Sequence, residues 1–156
     1  MFREMRRFKQ QLEQAECEKI LKEAKRGVLA VLGDEGYPYA VPLDFFYEDG
    51  HIYLHGAMEG HKVDAMRACD KVSFCVLSEG VQEEGSWWYH FNSVICFGRA
   101  RLVEDRAESD ALLRKVGAKY IPTAEEMEKV MKSSASRVQM VDITIEHMTG
   151  KRVQEK

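Results

Sequence analysis

VLAVLGDEGYPYAVPLDFFYEDGHIYLH, residues 28–55, decides the fold class. Val28 to Leu32 is a short apolar run, and Asp34-Glu35-Gly36 is a hairpin-type turn signal. Tyr37 to Tyr47 is aromatic and β-branched. Asp49-Gly50 is a strong two-residue turn, and His51 to His55 returns as a third strand. Three strands joined by two tight turns form an antiparallel meander. Pro38 and Pro42 cannot donate to a ladder, so the middle strand is expected at an edge, or bulged at Pro42.

The same reading extends outward in both directions. Upstream, Cys17, Ile20, Leu21 and Ala24 recur at i, i+3, i+4, i+7, a helix stripe that stops at Lys25-Arg26-Gly27. Downstream, His61 to Cys69 reads as a short helix with Val63 and Met66 inward, and Val72 to Leu77 as a strand. Ser78 to Ser86 is a polar loop, and Trp87 to Val103 a long extended stretch. Gly98 marks a bulge or a close backbone approach within it. Asp105 with Glu108, and Thr123 with Glu126, have capping-box spacing and open two further helices. Val141, Ile143 and Ile145 alternate with Asp142, Thr144 and Glu146 as the last strand, followed by the tail HMTGKRVQEK. The expected fold is mainly β (α+β): about six antiparallel strands with short flanking helices. Closure into a small barrel is favoured because it removes exposed edges.

Composition bounds the function. The 156 residues are expected to form a single domain over 1–156. Hydrophobic residues at 45% and charged residues at 31% exclude disordered and membrane classes. A net charge of −3 without a basic stripe argues against a nucleic-acid partner. The N-terminal MFREMRRFKQQLEQ has no apolar core of a signal peptide, and no apolar run reaches a membrane span. Four cysteines without a CxxC pair fit a reducing cytoplasm. The five histidines lack HExxH spacing, and His51 and His55 are four apart on a strand rather than on one helix face, so no metal site is expected.

The segment His55-Gly56-Ala57-Met58-Glu59-Gly60-His61-Lys62 carries the clearest chemistry. A strand ends, small residues let a ligand approach the backbone, and a helix opens at a His-Lys pair. Unpaired N–H donors and the positive dipole end of a helix suit a phosphate. Pattern alone slightly favours an ordinary strand-to-helix turn with a solvated lysine. Val41-Pro42-Leu43, where proline frees backbone groups from the ladder, could meet a planar ligand or merely protect an edge. Asn92 and Ser93 precede an apolar run whose Arg99 and Arg101 share one face, which fits ligand contact or a solvated face. Trp87, Trp88 and Tyr89 could stack a ring system, although such residues more often serve a core or an interface.

Taken in order, these segments resemble one family. Met5-Arg6-Arg7, Gly36-Tyr37-Pro38-Tyr39-Ala40-Val41-Pro42-Leu43, Ile52-Tyr53-Leu54-His55-Gly56-Ala57, Gly60-His61-Lys62, Ser93-Val94-Ile95 with Gly98-Arg99-Ala100, and Thr149-Gly150-Lys151 span nearly the whole chain. They are similar to the pyridoxamine 5′-phosphate oxidase-like flavoproteins, in the nitroimidazole-resistance (Nim-type) branch. The resemblance implies a six-stranded antiparallel split β-barrel of Greek-key type, a homodimer, and FMN at the subunit interface. By the same resemblance His61 and Lys62, after Gly60, would hold the FMN phosphate. His55, Gly56 and Ala57 would line the ribityl chain, and Val41, Pro42 and Leu43 would flank the ring. Asn92 and Ser93 would come from the second subunit, with Lys151 near the flavin. The implied activity is an FMN-dependent oxidoreductase reducing a small, nitroaromatic-type substrate with electrons from NADH or NADPH. A non-catalytic flavin- or haem-binding module, or a deazaflavin-dependent reductase, is the alternative. True pyridoxamine phosphate oxidases close with basic and histidine residues that grip the substrate phosphate. Here the chain closes Gly150-Lys151-Arg152-Val153-Gln154-Glu155-Lys156, so that activity is not expected.

Overall fold

The computed structural model describes residues 1–153; Gln154-Glu155-Lys156 of the tail lie outside them. The elements run α1 (Gln14–Glu23), β1 (Arg26–Leu32), β2 (Pro38–Asp44), β3 (Phe46–Glu48), β4 (His51–Ala57), α2 (His61–Ala68) and β5 (Lys71–Leu77). They continue with β6 (Phe91–Leu102), α3 (Arg106–Ala118), α4 (Ala124–Ser134) and β7 (Val138–Val153). All strand pairs are antiparallel, in the order β2-β1-β5-β6-β7-β4-β3. The two ends of that order, β2 and β3, are halves of one run interrupted only at Phe45. Counted as one strand they make six, and the run joins both sides of the sheet into a closed barrel.

The local chemistry explains most boundaries. Asp49 and Gly50 take φ of 47° and 82°, the left-handed pair a tight hairpin needs. Asp105 Oδ1 accepts the Glu108 N–H at 2.7 Å, and Thr123 Oγ1 accepts the Glu126 N–H at 3.2 Å, so both expected caps form. Pro42 sits in β2 opposite Val28 with no bulge, and β2 has β1 as its ladder partner. The register slips instead at Phe97/Gly98, where a Cβ on Gly98 would stand 2.4 Å from the Thr144 carbonyl oxygen.

Two expectations are corrected. Trp87 to His90 is not strand; β6 starts at Phe91. The Trp87 and Trp88 rings stack on each other at 3.8 Å, and Trp87 and Tyr89 are exposed rather than packed into the barrel. The last strand does not end at Glu146: His147 to Val153, expected as a tail beyond it, continues β7 and pairs with Phe91 to Phe97 of β6. Gln11 bridges Lys151, and the Leu12 N–H donates to the Gly150 carbonyl at 2.9 Å, so both sides of the tail are occupied.

The barrel core gathers Leu29, Val31, Phe45, Ile52, Leu54, Phe74, Val76, Val94, Val141 and Ile143, with Cys17 and Leu21 of α1 and Ala65 and Met66 of α2. Each fully buried large side chain there contributes roughly 1.5–3 kcal/mol. A smaller cluster seats α3 through Leu112, Leu113 and Val116 against Val103 and Met140. The end of α3 holds the Phe45 kink. The Tyr120 hydroxyl accepts the Phe45 N–H at 2.8 Å and lies 2.6 Å from the Phe45 carbonyl oxygen. Lys119 Nζ donates to the carbonyls of Ala24 and Phe45 and stands 4.2 Å above the Phe45 ring.

The outer face of β1, β5 and β6 is also apolar. Val28 stands opposite Cys75, and Cys75 opposite Ile95. Val28, Leu32, Leu77, Ile95 and Phe97 on this side are 38–59% exposed. No helix among the described residues is long and apolar enough to cross a membrane.

Candidate functional site

The end of β4, the turn Met58-Glu59-Gly60 and the start of α2 build one concave corner of the barrel. Gly60 closes the turn at φ 124°, a conformation side chains rarely adopt, and it stands before the first helical residue. Its carbonyl accepts the N–H groups of Val63 (2.8 Å) and Asp64 (3.1 Å). Among the described residues no side chain caps the helix. Among the described residues the amides of His61 and Lys62 have no hydrogen-bond partner, so the positive end of α2 presents two free donors.

Lys62 supplies a full charge beside them. It is half-buried and lies along the backbone of Gly56, where a Cβ would stand 3.0 Å from its Cε and 3.4 Å from its Nζ. Among the described residues its ammonium has no carboxylate partner, unlike Arg26, Arg99, Arg101, Arg114, Lys115 and Arg152. Leu43, His55, Gly56, Ala57, Lys62 and Gln139 line one narrow cleft. Val41 and Leu43 turn toward the core, whereas Pro42 is exposed on the other face of β2. The strand alternation thus separates three consecutive expected residues.

His61 is partly committed. Its Nε2 accepts the Asp34 N–H at 3.2 Å, and its ring lies parallel to Tyr39 at 4.4 Å and 11°. Asn92, Ser93 and Lys151 are not brought to this corner by the single chain. Ser93 pairs with Lys151 near the far end of β7, while the cleft faces the start of that strand at Gln139. The Asn92 N–H donates to Ser78 Oγ at 2.8 Å. The twelve expected residues therefore form two groups, nine around β2, β4 and α2 and three at the β6–β7 end.

Sequence reasoning missed Gln139. It is 6% exposed, sits opposite Gly56, and its side-chain amide donates to the carbonyls of Val103 (3.0 Å) and Met140 (2.9 Å). Extending the Val141 alternation two residues upstream would have found it. Burial pushes the Cys96 thiol up to about 12 and raises those of Cys17 and Cys75, which keeps these three protonated and poor as nucleophiles.

Comparison with known proteins places this geometry in context. A family model described as pyridoxamine 5′-phosphate oxidase matches residues 13–152. Among curated proteins none matches the chain. A FAD-binding protein from Mesorhizobium loti is 27% identical, covering 92% of this chain and 97% of its own, with a TM-score of 0.65. A provisional 5-nitroimidazole antibiotic resistance protein from Bacteroides thetaiotaomicron has a TM-score of 0.74 at 22% identity, over 93% of this chain and 90% of its own. A FAD- and heme-binding protein from Mycobacterium smegmatis has a TM-score of 0.75 at 16% identity, over 94% and 74%. At such identities the last two show a shared fold.

Proposed function

Because the chain belongs to the pyridoxamine 5′-phosphate oxidase family, a flavin-binding split-barrel family, we propose that it binds FMN and reduces a small substrate with nicotinamide-derived electrons. One observation carries this reading: a half-buried lysine lies over Gly56 beside two amides at a helix start, all without partners among the described residues. A phosphate monoester is the group that such donors fit. Lys62 and the amides of His61 and Lys62 hold the phosphate, with Gly60 leaving its approach clear. His55, Gly56 and Ala57 border the ribityl chain. Leu43, with Val41 on the same face of β2, lies along the ring, and Pro42 faces the other side.

Bound flavin supplies hydride or electron transfer; the protein supplies position, charge and exclusion of water. Lys62 offsets the phosphate charge, and the apolar walls of the cleft, Leu43 and Leu54 among them, keep water from the ring side. No side chain of the corner need act as acid or base.

The protein acts as a homodimer in this reading. The exposed apolar face of β1, β5 and β6 needs a cover, and a second copy provides one. The same pairing lets Asn92, Ser93 and Lys151 of one chain serve the cleft of the other. The fold shared with a nitroimidazole-resistance protein supports a nitroaromatic-type substrate.

The test is reconstitution. Stripped protein is titrated with FMN, FAD and haem, then mixed anaerobically with NADH or NADPH. Uptake of FMN and bleaching of its absorption on adding either donor support the proposal. Preference for FAD or haem corrects the cofactor, and flavin that stays oxidised with both donors refutes turnover.

A further inference from the structure

His61 differs from Lys62 in already having partners. Its Nε2 accepts the Asp34 N–H at 3.2 Å, and its ring lies flat against Tyr39 at 4.4 Å. Both partners belong to the β1–β2 hairpin. That turn is closed by the Gly33 N–H donating to the Tyr37 carbonyl at 2.8 Å and the Tyr37 N–H to the Asp34 carbonyl at 3.0 Å. Gly33 leaves room for the ring: a Cβ there would stand 2.9 Å from His61 Nε2. A ring nitrogen that accepts carries no proton, so in the neutral imidazole the proton sits on Nδ1.

We propose that His61 is a positioning residue: neutral, protonated on Nδ1, and fastening the first turn of α2 to the β1–β2 turn so that Lys62 and the free amides face the flavin phosphate. This rests on the flavin reading above. Val63, Ala65 and Met66 anchor the body of α2 in the core, but its first residue has no side-chain cap. The His61 contacts supply the missing restraint, and they couple the hairpin to the phosphate grip.

The proposal has a pH signature. Asp34 on the turn and Tyr39 on β2 face the ring, and Lys62 follows it on α2. Protonating Nε2 sets two donors against each other. The imidazolium then turns from the Asp34 N–H to Asp34 Oδ2, 3.7 Å away, which re-aims the helix start and its donors away from the phosphate. A histidine that merely adds charge to the phosphate does the opposite, tightening binding as pH falls.

FMN titrations of the stripped protein decide between them. His61→Phe keeps a ring on Tyr39 but cannot accept, and is expected to bind about tenfold more weakly, the worth of roughly one hydrogen bond. His61→Gln restores an acceptor and should recover most of the affinity. The ratio of wild-type to His61→Gln affinity should fall as His61 takes up its second proton on lowering the pH; taking the ratio cancels titration of the FMN phosphate itself. In ligand-free wild type, the Asp34 amide NMR resonance should follow His61 protonation. A ratio that rises or stays flat, FMN affinity unchanged in His61→Phe, or an Asp34 amide indifferent to His61 overturns the proposal. Wild type that takes up no FMN overturns the flavin reading instead, and the Asp34 resonance still judges the His61 contact separately.

Discussion

Replacing Lys62 by alanine isolates the phosphate grip. Lys62 is half-buried, its ammonium has no carboxylate partner among the described residues, and its side chain rests over Gly56. Its loss removes a charge-assisted hydrogen bond and leaves no buried acid unpaired, so the fold should survive. Such a bond is worth ~1.5–3 kcal/mol, which converts to about 10–150-fold in Kd. Fluorescence titration of the stripped protein with FMN measures it. Riboflavin is the control, since it has the same ring and ribityl chain without the phosphate. Lys62→Ala should weaken FMN by that factor and leave riboflavin within about twofold, so that the coupling in a double-mutant cycle equals the phosphate contribution. Equal losses for both ligands, or no loss for either in folded protein, would refute the assignment. Gly56→Ala approaches the same contact from the other side. Its methyl would crowd Lys62 Cε, the mobile end of a flexible side chain, so a smaller loss for FMN alone is expected.

Three other outcomes test other parts of the molecule. Val28→Lys with Ile95→Lys places two charges on the exposed apolar face; light scattering should show a monomer with flavin lost, and a dimer that keeps FMN would disprove pairing through this face. Gly98→Ala forces a methyl against the Thr144 carbonyl and should cost ~1–3 kcal/mol in urea unfolding; an unchanged midpoint would mean the bulge absorbs it. Burial pushes the Lys119 ammonium down to about 8 from its ordinary 10.5, so between those values the unfolded chain binds more protons and this group makes stability rise with pH. The rise should disappear in Lys119→Met. It is read as the difference between wild type and variant, because the raised Cys96 thiol acts oppositely above 9.0; a flat difference across the window would contradict the buried-amine reading.

Much of the fold was legible because its signals are local. Asp49-Gly50 fixes a hairpin by backbone handedness, and Asp105 and Thr123 stop stray N–H groups within one turn of themselves. Gly98 announced a close approach, and a carbonyl is what approaches. Trp87 to Tyr89 misled because aromatic residues favour strands only where a surface is there to receive them. At the site, Gly60-His61-Lys62 read correctly as a helix start, since the turn and cap are sequence-local.

The sequence by itself determined the strand meander, the helix starts, and the small residues around Lys62. Those depend on neighbours within a few positions, through backbone sterics and hydrogen bonds that cannot reach further. Tertiary structure alone decided that HMTGKRV is strand, that both barrel edges meet at Phe45, that Gln139 lies behind Gly56, and that His61 answers to Asp34. Each of these rests on a ladder partner or a side-chain contact from a remote segment. Such a partner exists only once hydrophobic burial has brought the segments together.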